Sequence, residues 1–288
     1  MKFWEWYDRS QQQAISAEIS AIELDWLLDR VAGIDKLSLR LKRVNLEPSV
    51  LQKLDNLWQQ RLRDRLPVQY LAGETTWRDL ELLVSPAVLI PRPETELLID
   101  LVQDYCDRAQ IKSGEWVDLG TGSGAIALGL AQALPDANIH AVDRSFEALA
   151  IAQQNAQRCG LENRVKFYHG NWFEPLAALK GKITGMVSNP PYIPTKEIEQ
   201  LQPEVRDCEP RLALDGGIDG LDAVRHLVTT APLYLMPGGY WIVELAIGQA
   251  PIVVNMLMEI ECYDRIQIHC DRAGIERFVA AIYNPIKI

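Results

Sequence analysis

The sequence predicts an α/β chain: a mostly parallel sheet of seven strands with helices on both faces, preceded by a small helical domain and a β-hairpin linker. Three observations carry this reading. Residues 9–66 space their apolar side chains at helical intervals with no strand-like alternation. Residues 67–93 break into short runs punctuated by proline. After residue 115, short apolar runs alternate with longer helical segments, the pattern of a parallel sheet wound on both sides. The expected boundaries are 1–73 for the helical domain, 74–93 for the linker and 94–288 for the α/β domain.

In the first domain, Ile19, Ile22, Leu24, Leu27 and Leu28, then Leu51, Leu54, Leu57 and Leu62, mark the buried stripes, with Trp26 and Trp58 as core. Two basic stretches, Arg40, Lys42 and Arg43, then Arg61, Arg63 and Arg65, read as solvated helix faces, with partner binding as the other option. Trp77 to Leu83 and Ala87 to Ile90, separated by Ser85-Pro86, predict the two strands of the ribbon. Pro91-Arg92-Pro93-Glu94-Thr95-Glu96 follows; Thr95 is the expected N-cap of a helix from Glu96 to Cys106. That stiff, charged segment is either a structural helix start or a loop that closes over a ligand.

The strand candidates are Trp116 to Leu119, Asn138 to Val142, Arg164 to Tyr168, Thr184 to Val187, Tyr240 to Leu245, Arg265 to His269 and Arg277 to Tyr283. No helix separates the last two, so the final strand is expected to insert antiparallel as a hairpin partner. His140 and His169 fall in strands and read as core, and His226 as helical.

Between the first strand and its helix lies Gly120-Thr121-Gly122-Ser123-Gly124. Glycines let a ligand approach the backbone, and the following helix offers its first N–H groups. The spacing departs from the dinucleotide fingerprint, which disfavours a pyrophosphate ligand. Asp143, 23 positions beyond Gly120, ends the second strand where an acid meets two ribose hydroxyls. Together they imply an adenosine-type cofactor, against the plain alternative of a tight packing turn. Trp172, after the third strand, is either a wall for adenine or core.

Beyond the fourth strand stands Asn189-Pro190-Pro191-Tyr192. Two prolines hold the backbone extended and remove two N–H donors. The Asn189 side-chain oxygen and the Pro190 carbonyl can each accept one hydrogen of an NH2 group, leaving its lone pair free, while Tyr192 supplies a flat wall. Amides and exocyclic adenine amines both fit, and a simple turn is the plain alternative. All four loops fall at the carboxyl ends of strands, where open sheets bind ligands.

Length and composition agree. With 288 residues and 48% hydrophobic side chains the chain can bury a substantial core. Five scattered cysteines, Cys106, Cys159, Cys208, Cys262 and Cys270, lack metal-ligand spacing, so no metal is expected and a reducing cytoplasm fits. The amino terminus lacks a signal-peptide core, and no apolar run reaches the ~18 residues of a membrane span. A net charge of −10 argues against direct nucleic-acid binding.

The glycine loop, Asp143 and Asn189 to Tyr192 resemble class I S-adenosylmethionine-dependent methyltransferases, a Rossmann-like fold. More closely, Pro67 to Gly73, Leu89 to Glu96, Glu204-Val205-Arg206, Glu209-Pro210 and Ala213-Leu214 resemble the HemK/PrmC family over nearly the whole chain. That resemblance implies methylation of the glutamine side-chain amide in the Gly-Gly-Gln motif of class-1 peptide chain release factors, recognised by the helical domain, by a monomer. It also implies S-adenosyl-L-methionine as cofactor and S-adenosyl-L-homocysteine as product. Gly120 to Gly124 would hold the methionine part, Asp143 the ribose and Trp172 the adenine, while Asn189, Pro190, Pro191 and Tyr192 would hold the amide; Asn189 would also border the cofactor. Two positions depart from the family pattern: Asn171, where an acid often precedes the tryptophan, and Ala250, where glycine commonly follows Gln249. Adenine methylation on DNA or RNA is the alternative, and a non-catalytic binding protein the third reading.

Overall fold

The structure is a computed structural model that describes residues 2–285. It begins with α1 (Phe3–Ser16), α2 (Ala21–Ala32), α3 (Lys36–Arg40), α4 (Pro48–Asp64) and α5 (Val68–Ala72). A hairpin of β1 (Glu74–Trp77) and β2 (Leu80–Leu83) follows, then α6 (Leu97–Ala109) and β3 (Ser113–Leu119). Next come α7 (Ala125–Ala133), β4 (Asp136–Asp143), α8 (Phe146–Arg158), β5 (Val165–His169) and β6 (Ile183–Ser188). The chain ends with α9 (Pro203–Arg206), α10 (Asp222–Thr230), β7 (Leu235–Glu244), α11 (Ala250–Glu259), β8 (Tyr263–Cys270) and β9 (Glu276–Tyr283).

Two compact units emerge: residues 1–75 with 202–208, and residues 76–201 with 209–288. In the first, α1, α2 and α4 bury one apolar stripe each, meeting at Trp6, Leu24, Leu27, Leu28, Leu54 and Trp58. Ile22, expected inside, is exposed, and Trp26 is half-buried. Arg61 departs most from expectation. It is buried rather than solvated, and it donates to Glu23 Oε2 at 2.6 Å and to Glu204 Oε1 at 2.8 Å. Arg65 reaches the same Glu204 oxygen at 2.7 Å. A guanidinium taken out of water requires such carboxylate partners, and one of them arrives from 202–208, far along the chain.

In the second unit, seven strands stand in the order β5-β4-β3-β6-β7-β9-β8. β3 to β7 are parallel neighbours, whereas β9 runs antiparallel to both β7 and β8, as the missing helix predicted. β6 is buried at every position, which both faces of a parallel sheet demand. Period-two alternation sends Trp116 to one core layer with α7, and Val117 and Leu119 to the other with α10 and α11. His140 is buried in β4, but His169, expected as core, is exposed at the end of β5.

The predicted ribbon is shifted. Trp77 to Leu83 is not one strand but the last residue of β1, a turn at Arg78-Asp79, and β2. Arg78 takes φ +51°, held by its N–H to Glu96 Oε1 and its guanidinium to Asp100 at 2.8 Å. Those tertiary bonds replace the Asn-Gly signal such turns usually carry. Ala87 to Ile90 forms no strand: a turn closed by Val88 N to Ser85 O at 3.0 Å gives way to irregular chain. Among the described residues, no helix is long and apolar enough to cross a membrane.

Candidate active site

β3 sends its connection to β4 on one side while β6 leads to β7 on the other, so a crevice opens between the carboxyl ends of β3 and β6. Ser188 Oγ bridges these ends, donating to Leu119 O at 2.6 Å. The glycine loop leaves one strand there and the Asn-Pro-Pro-Tyr loop leaves the other.

Gly120, Gly122 and Gly124 have φ of +80°, +55° and +86°, which only glycine adopts without strain, and the last opens α7. Asp118, wholly buried beneath the loop, accepts Thr121 Oγ1 at 2.6 Å and Ala127 N at 3.1 Å through one oxygen, and its Oδ1 has no partner. Burial pushes its carboxyl up to about 7, against the pull of those two donors. Asp143 accepts Gly122 N at 2.8 Å and Ser145 N at 2.9 Å, fixing the loop's conformation; burial raises its pKa as well. Trp172 has φ +50°, an outlier for so bulky a residue, and its ring covers Gly120: a Cβ there would lie 3.5 Å from it.

These groups wall a cavity of about 860 Å³. Gly120, Thr121, Gly122, Ser123, Asp143, Trp172, Asn189 and Pro191 line it, together with Arg92, Thr95 and the segment Pro210 to Ala213. Gly124, Pro190 and Tyr192 are not in the lining. Pro190 is buried, and Tyr192, half-buried, donates its hydroxyl to Glu244 Oε1 at 3.4 Å. Burial, with the nearby Glu244, pushes the Tyr192 phenol well above its usual range. Asn189 Nδ2 donates to Thr95 Oγ1 at 3.2 Å, leaving its Oδ1 as an acceptor. Thr95 is therefore not a helix cap: α6 starts after Glu96 with no side-chain cap.

A profile of the family described as "Methyltransferase small domain" matches residues 93–218. The release factor glutamine methyltransferase of Synechocystis sp. is 51% identical over 286 residues, spanning 97% of this chain and 96% of its own. This chain belongs to the release factor glutamine methyltransferase family. The relative from Thermosynechococcus vestitus is 46% identical over 97% of both chains, and that from Vibrio cholerae 39% over 83% of this chain and 80% of its own. Among solved structures, the hMettl16 catalytic domain in complex with a MAT2A 3'UTR hairpin superposes with a TM-score of 0.57 at 14% identity, covering 85% of this chain and 86% of that one. The T. thermophilus 16S rRNA N2 G1207 methyltransferase in complex with AdoMet and guanosine gives 0.51 at 17%, covering 73% and 50%. Identities that low speak to the fold alone.

In this release factor glutamine methyltransferase family member, several residues around the cavity escaped the sequence reading. Asn155, buried in α8, donates to Ser123 O at 2.8 Å and exchanges bonds with Leu83 N and O, tying the glycine loop to β2. Gln249 Nε2 donates to Tyr192 O at 3.0 Å and Gly220 O at 3.3 Å. Gly216 and Gly220 lie so close to the tetrapeptide that a Cβ on either would sit 2.8 Å from Pro191 O or 2.3 Å from Tyr192 O. The glycine density of Gly216-Gly217 and Gly220 was the one visible sign of that approach.

Proposed function

We propose that this protein transfers a methyl group from S-adenosyl-L-methionine to the side-chain amide nitrogen of the Gly-Gly-Gln glutamine of class-1 peptide chain release factors, leaving S-adenosyl-L-homocysteine. The observation that carries this is the commitment of Asn189 Nδ2 to Thr95, which leaves Asn189 Oδ1 as an acceptor in a cavity shared with the glycine loop and Asp143. Curated relatives over nearly the whole chain are named for this substrate.

The donor set fits the cofactor. The Gly120 to Gly124 backbone would hold the methionine part, and the remaining lone pairs of Asp143 the ribose hydroxyls. Trp172, with Ile126 and Val142 also in the lining, would face the adenine. When bound, the cofactor supplies an electrophilic methyl on sulfonium sulfur.

The chain's own task is to make a poor nucleophile reactive. An amide lone pair is delocalised into its carbonyl. Asn189 Oδ1 and the Pro190 carbonyl accept the two amide hydrogens, orient the nitrogen and stabilise the positive charge that develops on it. Pro191 stiffens the loop, and Tyr192, outside the cavity lining, anchors it through its hydroxyl on Glu244. Among the described residues no histidine lines the cavity, and the carboxylates that do already accept hydrogen bonds: Asp143 from Gly122 and Ser145, Asp215 from Thr195, and Asp222 from Arg225. We therefore name no general base, and water is the acceptor this reading assigns to the amide proton.

The helical unit, which exposes Ile15, Ile22, Leu37 and Leu41, would recognise the release factor. Five cysteines, none of them in a disulfide among the described residues, suit a reducing cytoplasm. Nothing favours adenine as substrate, and the net charge of −10 opposes it.

The test is transfer of labelled methyl to an unmodified release factor, beside its Gly-Gly-Gln glutamine-to-alanine variant and an unmethylated nucleic acid. Label on the first alone is expected. Label on nucleic acid would transfer the reading to adenine, and no label despite cofactor binding would make the protein non-catalytic.

A further inference from the structure

Pro190 and Pro191 carry no N–H, so at two successive positions the Asn189 to Tyr192 loop has no backbone donor with which to fix itself. Its shape is set from its ends. At one end Asn189 Nδ2 donates to Thr95 Oγ1 at 3.2 Å. At the other, the Tyr192 carbonyl accepts from Gln249 Nε2 at 3.0 Å.

Gln249 stands immediately before α11, is 7% exposed, and sends its side-chain hydrogen bonds to backbone groups. Its Oε1 accepts from Ala246 N at 3.0 Å, while Nε2 donates to Tyr192 O at 3.0 Å and to Gly220 O at 3.3 Å. A backbone N–H only donates and a carbonyl only accepts, so these partners allow the amide one orientation. The Gln249 N–H closes the same turn, donating to Ala246 O at 3.2 Å. Gly220 makes room for the amide: at φ +78° a Cβ there would lie 2.7 Å from Gln249 Nε2. We propose that Gln249 is a positioning residue for methyl transfer: by holding the Tyr192 carbonyl, it sets the direction in which Asn189 Oδ1 and the Pro190 carbonyl face the substrate amide.

The prolines transmit that hold. Their rings lock φ at two positions and keep each preceding residue extended, so few soft torsions separate Tyr192 from Asn189. The peptide between Tyr192 and Ile193 is gripped at both edges, its carbonyl by Gln249 and its N–H by Leu214 O at 3.0 Å. Without Gln249 only the Leu214 edge is left, and the plane can tilt about it. The Tyr192 hydroxyl, 3.4 Å from Glu244 Oε1, is too long a bond to take over.

This inference rests on the proposed amide methylation, and its test separates the two. Gln249→Glu keeps the shape and exchanges the NH2 for an oxygen. Ionised, that oxygen faces two carbonyls with nothing to donate; protonated, it has one O–H for the Tyr192 carbonyl. At pH 8 kcat on the release factor should fall about 10–100-fold, the scale of a misplaced reacting group. The gap to wild type should narrow as pH is lowered, because burial and the two carbonyls favour the protonated acid. Gln249→Met, which never donates, should lose activity at every pH, with cofactor Kd changing far less than kcat in both variants. A second readout needs no substrate: the nitrogen-15 signal of the Asn189 side-chain amide, assigned with Asn189→Asp, should shift in Gln249→Met. A gap that does not vary with pH, wild-type kcat in Gln249→Met, equal losses of cofactor affinity and kcat, or an unmoved Asn189 signal would overturn the positioning role. If the wild-type protein methylates no release factor, the functional reading fails instead, and the Asn189 signal alone decides whether Gln249 sets the loop.

Discussion

Arg92 Nη2 donates to Glu209 Oε2 at 2.5 Å, joining positions 117 residues apart, and the Glu209 side chain is almost wholly buried. Arg92 and the adjoining Pro210 both line the cavity, so this pair fastens one wall to the other. Removing the cation strands a buried carboxylate, which costs more than the pair contributes. Arg92→Ala is expected to lower stability by about 1–3 kcal/mol, the partly exposed arginine keeping this below the cost of a fully buried pair. The double variant Arg92→Leu with Glu209→Leu should recover most of that in urea unfolding but not the KM for the protein substrate. If the double variant is no more stable than Arg92→Ala, the stranded charge is not the cause.

Asn155 makes a similar link on the cofactor side. Its amide, itself fully buried, exchanges two bonds with Leu83, at 2.6 and 3.0 Å, and donates to Ser123 O at 2.8 Å. Asn155→Ala leaves backbone groups of β2 and of the glycine loop unpaired, at a cost of about 2–4 kcal/mol. Because Ser123 belongs to the loop, cofactor affinity by calorimetry should fall with stability. Full affinity in the destabilised variant would confine Asn155 to holding the hairpin.

The features legible in the sequence were those whose parts are neighbours in the chain. Gly120 to Gly124, Asp143 and Asn189 to Tyr192 announce themselves because a turn, a strand end and a proline pair are local events, and strand alternation then brings them to one edge. Thr95 read as a helix cap because its partner Asn189 lies 94 residues away. Arg61 read as solvated because nothing local reveals that Glu204 will pair with it. The hairpin shifted for the same reason, Arg78 being held by Glu96 and Asp100 rather than by its own turn residues. Each of these three turns on a polar side chain whose conformation is decided by a distant partner, and hydrophobic periodicity carries no trace of such pairs.

Gly220 bears on the tetrapeptide. It has φ +78°, and a Cβ would fall 2.3 Å from Tyr192 O, a backbone atom that cannot swing aside. Gly220→Ala therefore pushes the Asn189 to Tyr192 loop itself, and a displacement of about 1 Å at a reacting group costs on the order of 100-fold in rate. Cofactor binding, made mainly by the glycine loop, Asp143 and Trp172, should fall far less than turnover. Equal loss of cofactor affinity and turnover would show that the whole cavity had collapsed instead.

Asp118 predicts a pH dependence with a definite sign. Its carboxyl is raised from an ordinary value of 3.8 to about 7, mainly by burial. Between roughly pH 4 and 7 the folded protein then holds a proton that the unfolded chain has already released, so unfolding releases protons in that window. Stability is favoured at the acidic end, falls as pH rises toward 7, and levels off above it; Glu244, raised from 4.5 to about 7, adds to the same slope. Each group contributes at most about 1.4 kcal/mol per pH unit. Asp118→Asn keeps one acceptor oxygen for Thr121 or Ala127 but cannot ionise, so its unfolding free energy in urea at pH 5, 6, 7 and 8 should decline less steeply than that of the wild type, the gap closing in its favour toward pH 8. A parallel pair of curves would mean that Asp118 is ionised throughout and that the glycine loop is built over a charge rather than over a neutral acid.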